Sequence, residues 1–229
     1  MKVFAISDLH LSTSCNKPMV IFGDGWQNHF DKIKEDWLSK VTDDDIVLIG
    51  GDVSWGINLD EAESDYNLLL NLPGKKIVVK GNHDYYWNSL SKLSKRFPAF
   101  TFIQNNCYKA KNIIIAGSRG WNIVNEKSDE EDIKIFKREL IRLELSLVSA
   151  KSKREEGDKL LVLTHFPPFD ADFKPTEVTA LFERFKVDKV VYGHLHGKSV
   201  RVKERFMLNG IEYIMSSCDI VGFKLMEIL

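Results

Sequence analysis

One pattern constrains this chain more than any other: short apolar runs stop, repeatedly, on side chains that coordinate metals or carry protons. Residues 3–6 lead to Asp8-Leu9-His10, and residues 46–49 lead to Gly50-Gly51-Asp52. Residues 76–80 end on Gly81-Asn82-His83-Asp84, residues 160–164 on His165, and residues 189–192 on Gly193-His194-Leu195-His196. Runs of this length and composition read as strands buried on both faces. In extended backbone alternate side chains share a face, so Asp8 and His10 point together and Leu9 points away. Any one of these endings also reads as a polar turn with a helix cap. The histidine census argues against that for the set: of six histidines, only His29 lies away from a strand end.

Between the runs the spacing becomes helical. Phe30, Ile33, Trp37 and Val41 form one face of a helix, and residues 60–71 form a second with Ala62, Tyr66, Leu69 and Leu70 inward. Leu90, Leu93 and Phe97 mark a short helix ended by Pro98. Ser128 and Glu131 match a capping box that opens the longest helix, which runs to about residue 156, with Gly157 as its stop. Its 3-4 spaced Ile133, Phe136, Leu140, Leu143 and Leu147 fit a helix lying on a sheet, and fit a coiled coil less well. Val178, Leu181, Phe182 and Phe185 form a last helix face. The tail reads as β over residues 200–207, 211–215 and 220–228, with an Asn209-Gly210 hairpin turn. The loop over residues 11–27 carries Met19, Val20, Ile21, Phe22 and Trp26, enough apolar surface that it must pack on something: the core, which is favoured, or the wall of a pocket.

Strands separated by helices imply parallel crossovers and an α/β fold, with no linker or repeat to divide the chain: residues 1–229 read as a single domain. In open α/β sheets ligands bind outside the carboxyl ends of the strands. The five polar endings therefore converge on one rim.

Bulk properties narrow the function. With 32 Lys and Arg against 33 Asp and Glu, the net charge of −1 gives no broad footprint for nucleic acid or anionic membrane. A local basic groove remains open, though Lys151, Lys153 and Arg154 read as a solvated helix face. Three scattered cysteines, Cys15, Cys107 and Cys218, suggest neither disulfides nor a Cys-based zinc site. No run has the length of a membrane span, and Asp8 interrupts the start too soon for a signal peptide. The expectation is a cytoplasmic protein.

Setting His83 aside, the rim offers two carboxylates (Asp8, Asp52), one carboxamide (Asn82) and four imidazoles (His10, His165, His194, His196). That exceeds one tetrahedral zinc. It suits two divalent metal ions with mixed oxygen and nitrogen ligands: Mn, Fe or Zn, with Mn favoured. Asp52, alone at its strand end, is the natural bridge. Two such ions outweigh the two carboxylates in charge, so the site attracts phosphate. Ions about 3.5–4 Å apart clamp a nucleophile and a phosphoryl oxygen and bring a bound water's pKa toward about 7. A phosphate ester is the expected substrate.

Asp8-x-His10, Gly51-Asp52, Gly81-Asn82-His83-Asp84, His165 and Gly193-His194-x-His196 resemble, in order and over residues 8–196, the five motifs of the calcineurin-like metallophosphoesterase family. The resemblance implies a sandwich of two mixed β-sheets flanked by α-helices. It implies that Asp8, His10, Asp52 and His196 hold one metal and that Asp52, Asn82, His165 and His194 hold the other. It also implies a metal-bridging hydroxide as nucleophile, with His83 facing the leaving group rather than a metal.

The chain departs from the family's phosphoprotein phosphatases, which continue the second motif as Gly-Asp-x-x-Asp-Arg-Gly. Here Gly51-Asp52 is followed by Val53-Ser54-Trp55-Gly56, without the Asp or the Arg. Asp84 is then the neighbour placed to orient His83, and Arg119 and Trp121 the groups placed to bind phosphate and stack on substrate. The expected activity is hydrolysis of a phosphodiester or a phosphomonoester, the diester favoured. A nuclease, or a non-catalytic scaffold on the same fold, are the alternatives.

Overall fold

The computed structural model describes residues 1–197 and 200–229. Two mixed sheets pack face to face. The first has five strands: β1 (Val3–Ile6), β2 (Ile46–Ile49), β3 (Lys75–Val79) and β4 (Thr101–Ile103) run parallel, and the short β11 (Met226–Glu227) closes its edge antiparallel to β1. The second has six: β6 (Ile113–Ser118), β7 (Lys159–Thr164), β8 (Lys189–Tyr192) and β10 (Ile211–Met215) run parallel. β5 (Cys107–Ala110) and β9 (Arg205–Leu208) are its antiparallel edges.

The apolar runs lack polar alternation because both faces of each strand are buried. Val3, Ala5, Ile46, Leu48, Ile77 and Val79 meet Ile115, Leu161, Leu163 and Val191 between the sheets. The alternate residues face outward onto helices. Phe4, Val47, Ile49 and Val78 pack with α1 (His29–Lys40), α2 (Leu59–Leu70) and α3 (Leu90–Arg96). Ile114, Leu160, Val162 and Val190 pack with α4 (Glu130–Lys153) and α5 (Glu177–Arg184). Four layers result, with helices outside and sheets inside; the parallel crossovers return over helices, except that from β8 to β10, whose described residues form a loop and β9.

Several sequence expectations shift. The N-cap of α4 is Asp129, whose carboxylate accepts from Asp132 N–H at 2.7 Å, while Ser128 Oγ accepts from Asn125 N–H instead. Either residue type caps well, and the carboxylate adds favourable charge at the helix N-terminus. α4 also ends earlier than expected, at Lys153. Leu70 faces solvent; Ala62, Tyr66 and Leu69 carry the inner face of α2. The tail is less regular: β9 begins only at Arg205, and the segment expected as strand 220–228 is a turn followed by β11. In the 11–27 loop Met19 and Trp26 are buried over the core, but Ile21 and Phe22 project into solvent. Among the described residues no helix is long and apolar enough to cross a membrane.

Candidate metal centre

Parallel pairing puts the carboxyl ends of the strands on one edge. Where the sheets meet there they are tied directly: Ser7 N–H donates to Ser216 O at 2.7 Å, and Cys218 N–H to Ser7 O at 3.0 Å. The five polar endings form a single cluster at this seam.

His196 Nε2 lies 3.1 Å from Asp8 Oδ1 and 3.3 Å from His10 Nε2. Asp52 Oδ2 is 3.8 Å from His10 Nε2 and 3.5 Å from His165 Nε2, so it stands between the two halves of the cluster. His165 Nε2 is 2.7 Å from Asn82 Oδ1, and His194 Nδ1 is 3.0 Å from the same oxygen. Two sets lie close enough to share an ion: Asp8, His10 and His196, and Asp8, Asp52 and His165. The second differs from the set the family resemblance implies by including Asp8, whose Oδ1 is 4.0 Å from His165 Nδ1.

The backbone is bent to achieve this. Asp8, His10, Asp52 and His194 all have positive φ, between 46° and 72°, a region L-residues adopt at a cost of about 1–3 kcal/mol each. Hydrogen bonds hold each in place: Asp8 N–H to Gly51 O, His10 N–H to Asp52 O, Asp52 N–H to Asp84 Oδ2, and His194 N–H to Asp8 Oδ2. Two glycines are needed for clearance. A Cβ at Gly81 would collide with Asp52, and one at Gly193 with Ser7 and Asp8.

The chemistry of the donor set fits a cation. His165 Nδ1 and His196 Nδ1 face Gly50 O at 2.9 Å and Asp219 Oδ1 at 2.8 Å, so both must carry their protons there. Their Nε2 atoms then present lone pairs inward, toward carboxylates and toward other imidazole nitrogens. Lone pairs converging from every side repel unless a proton or a metal ion lies among them. Asp8, His10 and His196 would hold one such ion; Asp52 and His165, with Asn82 and His194 beside them, would hold another.

Titration behaviour agrees. Burial pushes His10 and His194 down to about 3, which favours the neutral, ligating form. Burial raises Asp52 to about 7, helped by the charges of Asp84 and Asp8 and opposed by His165; a divalent ion beside it would restore the carboxylate. For Asp8 burial is outweighed by the hydrogen bond and charge of His196 and the charge of His165, so it stays ionised. His196 resists its own burial and rises to about 10 through Asp219 and Asp8, so a proton there takes the cation's place in the metal-free protein.

The remaining expected residues fall elsewhere. His83 is half-buried at the lip, its ring 4.5 Å from Trp55 and 5.7 Å from His10, with Nδ1 3.1 Å from the Tyr85 hydroxyl. Asp84 is fully buried and does not hydrogen-bond His83. Its carboxylate accepts from the N–H groups of Asp52, Val53 and Gly81 and from the Tyr86 hydroxyl, all within 2.9 Å. It clamps the Asp52 turn to the Asn82 turn. Arg119 stacks over Trp121 at 4.4 Å and binds Glu139, while Trp121 Nε1–H donates to Asp132. Neither is among the groups that face the cluster.

The sequence reading missed the groups that support the cluster. Asp219 orients His196, and the Ser7 and Ser217 hydroxyls both donate to Asp8 Oδ2. Asp219 follows the apolar run of β10, so the same strand-end pattern marks it; reading that run as a plain hairpin arm hid it. Trp26, Trp55 and Phe166 wall the site, with Phe166 4.0 Å from the His194 ring.

The sequence model of the calcineurin-like phosphoesterase family matches residues 1–198. The chain belongs to that family. No curated protein matches it. Among solved structures it is similar to a protein of unknown function, AQ665 from Aquifex aeolicus, with 16% identity and a TM-score of 0.55 over 99% of this chain and 95% of the other. It is also similar to TT1561 of Thermus thermophilus, with 13% identity and a TM-score of 0.61 over 98% of this chain and 96% of the other. At these identities the likeness is one of fold.

Proposed function

We propose that the protein is a metal-dependent phosphoesterase with two divalent ions, Mn the first to test, acting on a phosphodiester or phosphomonoester. The observation that carries this reading is the inward convergence of bare imidazole, carboxylate and amide lone pairs between Asp8 and His194. When bound, the ions would supply an activated water and an electrophilic grip on phosphoryl oxygens.

The chain's own residues do the rest. Asp84 and the hydrogen-bonded left-handed turns fix the donors before substrate arrives, so little reorganisation is needed. Trp26, Trp55 and Phe166 give the rim apolar walls beside His10, His196 and His194. His83, outside the donor set, is placed to hand a proton to the departing alkoxide. Its Nδ1 is engaged with Tyr85, which leaves Nε2 for the ester oxygen. A cavity of about 770 Å³ beside His194, bounded by Asn122, Asn125, Asp170, Phe173 and Arg201, gives room for the organic part of the ester. We assign the protein to the cytoplasm on its cysteine usage.

The test is assay of protein stripped with EDTA and reloaded with Mn²⁺, against bis-p-nitrophenyl phosphate and p-nitrophenyl phosphate. Metal-dependent release of p-nitrophenol is expected. Absence of turnover on these and a wider ester panel, with bound metal confirmed, would overturn the enzyme reading. His83→Ala should lower kcat by about 10²–10³-fold at unchanged metal content. An unchanged kcat would remove its assigned role.

A further inference from the structure

A second polar cavity, of about 210 Å³, lies behind the metal centre and plays no part in the reading above. Four cations line it, Lys80, Arg119, Arg138 and Arg142, with the amides of Asn88 and Gln104. They arrive from separate parts of the fold: Lys80 follows β3, Gln104 follows β4, Arg119 follows β6, and the other two arginines project from α4.

The three arginines share one carboxylate, that of Glu139, buried on α4, while Lys80 Nζ donates to Trp87 O at 3.0 Å. Glu139 Oε1 meets Arg142 at 2.7 Å, Arg119 at 3.4 Å and Arg138 at 3.6 Å. No carboxylate lines the cavity itself, and three guanidinium groups share the single carboxylate of Glu139. Neutralising Glu139 needs one guanidinium; this arrangement is far in surplus. Among the described residues Arg119 Nε is moreover buried with no hydrogen-bond partner, as is Glu139 Oε2 on the carboxylate beside it. A buried, unpaired donor within a cluster of like charges is costly unless an anion joins it. Guanidinium forks and amide N–H groups match the oxygens of a tetrahedral oxyanion.

The cavity also adjoins the metal centre. Lys80 leads directly into Gly81-Asn82, and Arg119 O accepts the backbone N–H of His165 at 3.0 Å. Arg138 is half-exposed and Arg142 about one-third exposed, so an anion can reach it from solvent.

We propose that this cavity is a second phosphate site, which holds a phosphate-type oxyanion beside the metal centre and separate from the phosphoryl group being hydrolysed. The oxyanion is either free phosphate or another phosphate group of the substrate itself; the latter source rests on the phosphoesterase reading, the former does not.

Full-length protein stripped of metal isolates this cavity from the metal centre. Titration calorimetry with inorganic phosphate should show saturable binding, and phosphate should raise the Tm. In the Arg138→Gln/Arg142→Gln variant the affinity should fall by about tenfold or more. Glu139→Gln should tighten binding, because it removes the one opposing charge. If the arginines serve only to hold Glu139, that variant weakens the fold and gains no affinity. No saturable heat and no Tm rise in the wild-type protein would overturn the proposal, as would undiminished binding in the double arginine variant. Metal-loaded enzyme then separates the sources. If the site takes the substrate's own second phosphate, the double variant raises KM for a nucleoside bisphosphate more than for p-nitrophenyl phosphate. If it takes free phosphate, the two KM values move together and the loss shows in the metal-free titration. Failure of all turnover would refute the enzyme reading while leaving the metal-free titration to decide this one.

Discussion

The same strands carry aspartates or histidines at both ends, and the two ends treat them in opposite ways. β2 is preceded by Asp45 and followed by Asp52; β7 by Asp158 and His165; β8 by Asp188 and His194. At the amino edge every carboxylate is supplied with donors. Asp45 accepts from Lys2 N–H, Thr42 N–H and the Thr42 hydroxyl. Asp158 accepts from Glu155 N–H and pairs with Lys109; Asp188 accepts from Leu160 N–H and pairs with Arg154 and Lys159. None of the three has a positive φ. At the carboxyl edge the backbone is strained and lone pairs face lone pairs. One edge has its charges met within the chain; the other gathers Asp and His donors close enough to share an ion.

That contrast can be broken most severely at Asp52. Asp52→Asn keeps an oxygen for the His83 N–H, which Asp52 Oδ1 accepts at 2.8 Å, but removes the charge between the two halves of the cluster. Metal affinity and turnover should fall by more than the about 10–100-fold typical of losing a mere supporting partner. The metal-free Tm should not fall, because a buried carboxyl raised to about 7 contributes strain rather than stability. Metal analysis beside calorimetry decides it, and a large drop in metal-free Tm would show that Asp52 is structural. Gly81→Ala comes next. Its Cβ has no room beside Asp52, which Asp84 and His83 hold from other sides, so both stability (by about 1–3 kcal/mol) and metal content should drop together.

Asp219→Asn isolates orientation. The amide can keep one contact to His196 Nδ1 but loses the charge that favours the ligating tautomer. A fall of about 10–100-fold in metal affinity is expected, with the fold intact. Unchanged affinity would mean that His196 needs no partner.

How much of this was legible in the sequence follows from the range of the forces involved. The strand-end residues are local: an apolar run, a turn and a donor are adjacent in the chain, and parallel pairing then brings them together. So the seven grouped side chains, the parallel strands and the helices between them could be read; the division into two sheets came only through the family resemblance. Asp219 required knowing that β10 pairs parallel with β8, although its sequence looks like a hairpin arm. Asp84 was placed beside His83 because they are neighbours in sequence; in the fold the two side chains diverge, and the carboxylate goes to three backbone amides 31–32 residues away or close by in its own turn. The basic cavity was invisible because Lys80, Arg119, Arg138 and Arg142 come from separate stretches of the sequence and meet only where α4, packed on β5 and β6, lies beside the residues that follow β3 and β6. The shift of the α4 cap by one residue is a contest between two adjacent good caps.

The amino edge supplies the smallest expected effect and the cleanest contrast. Burial alone would raise Asp45, but the Lys2 and Thr42 amides and the Thr42 hydroxyl outweigh it and hold the carboxyl below its usual range. A depressed folded-state pKa means that the ionised form is the one the fold stabilises. The contribution is therefore fully present above the unfolded value of about 3.9 and is lost as pH falls through the lower folded value. Asp45→Asn should cost about 1 kcal/mol at neutral pH. The gap between variant and wild-type should close as denaturation is repeated at progressively lower pH, because the wild-type carboxyl then protonates too. A gap that stayed constant would show that shape rather than charge holds β1 to β2. Metal content at neutral pH should match wild-type, since nothing at this edge touches the cluster; a loss there would mean that the two ends of β2 are not separable and that the strand transmits strain from one aspartate to the other.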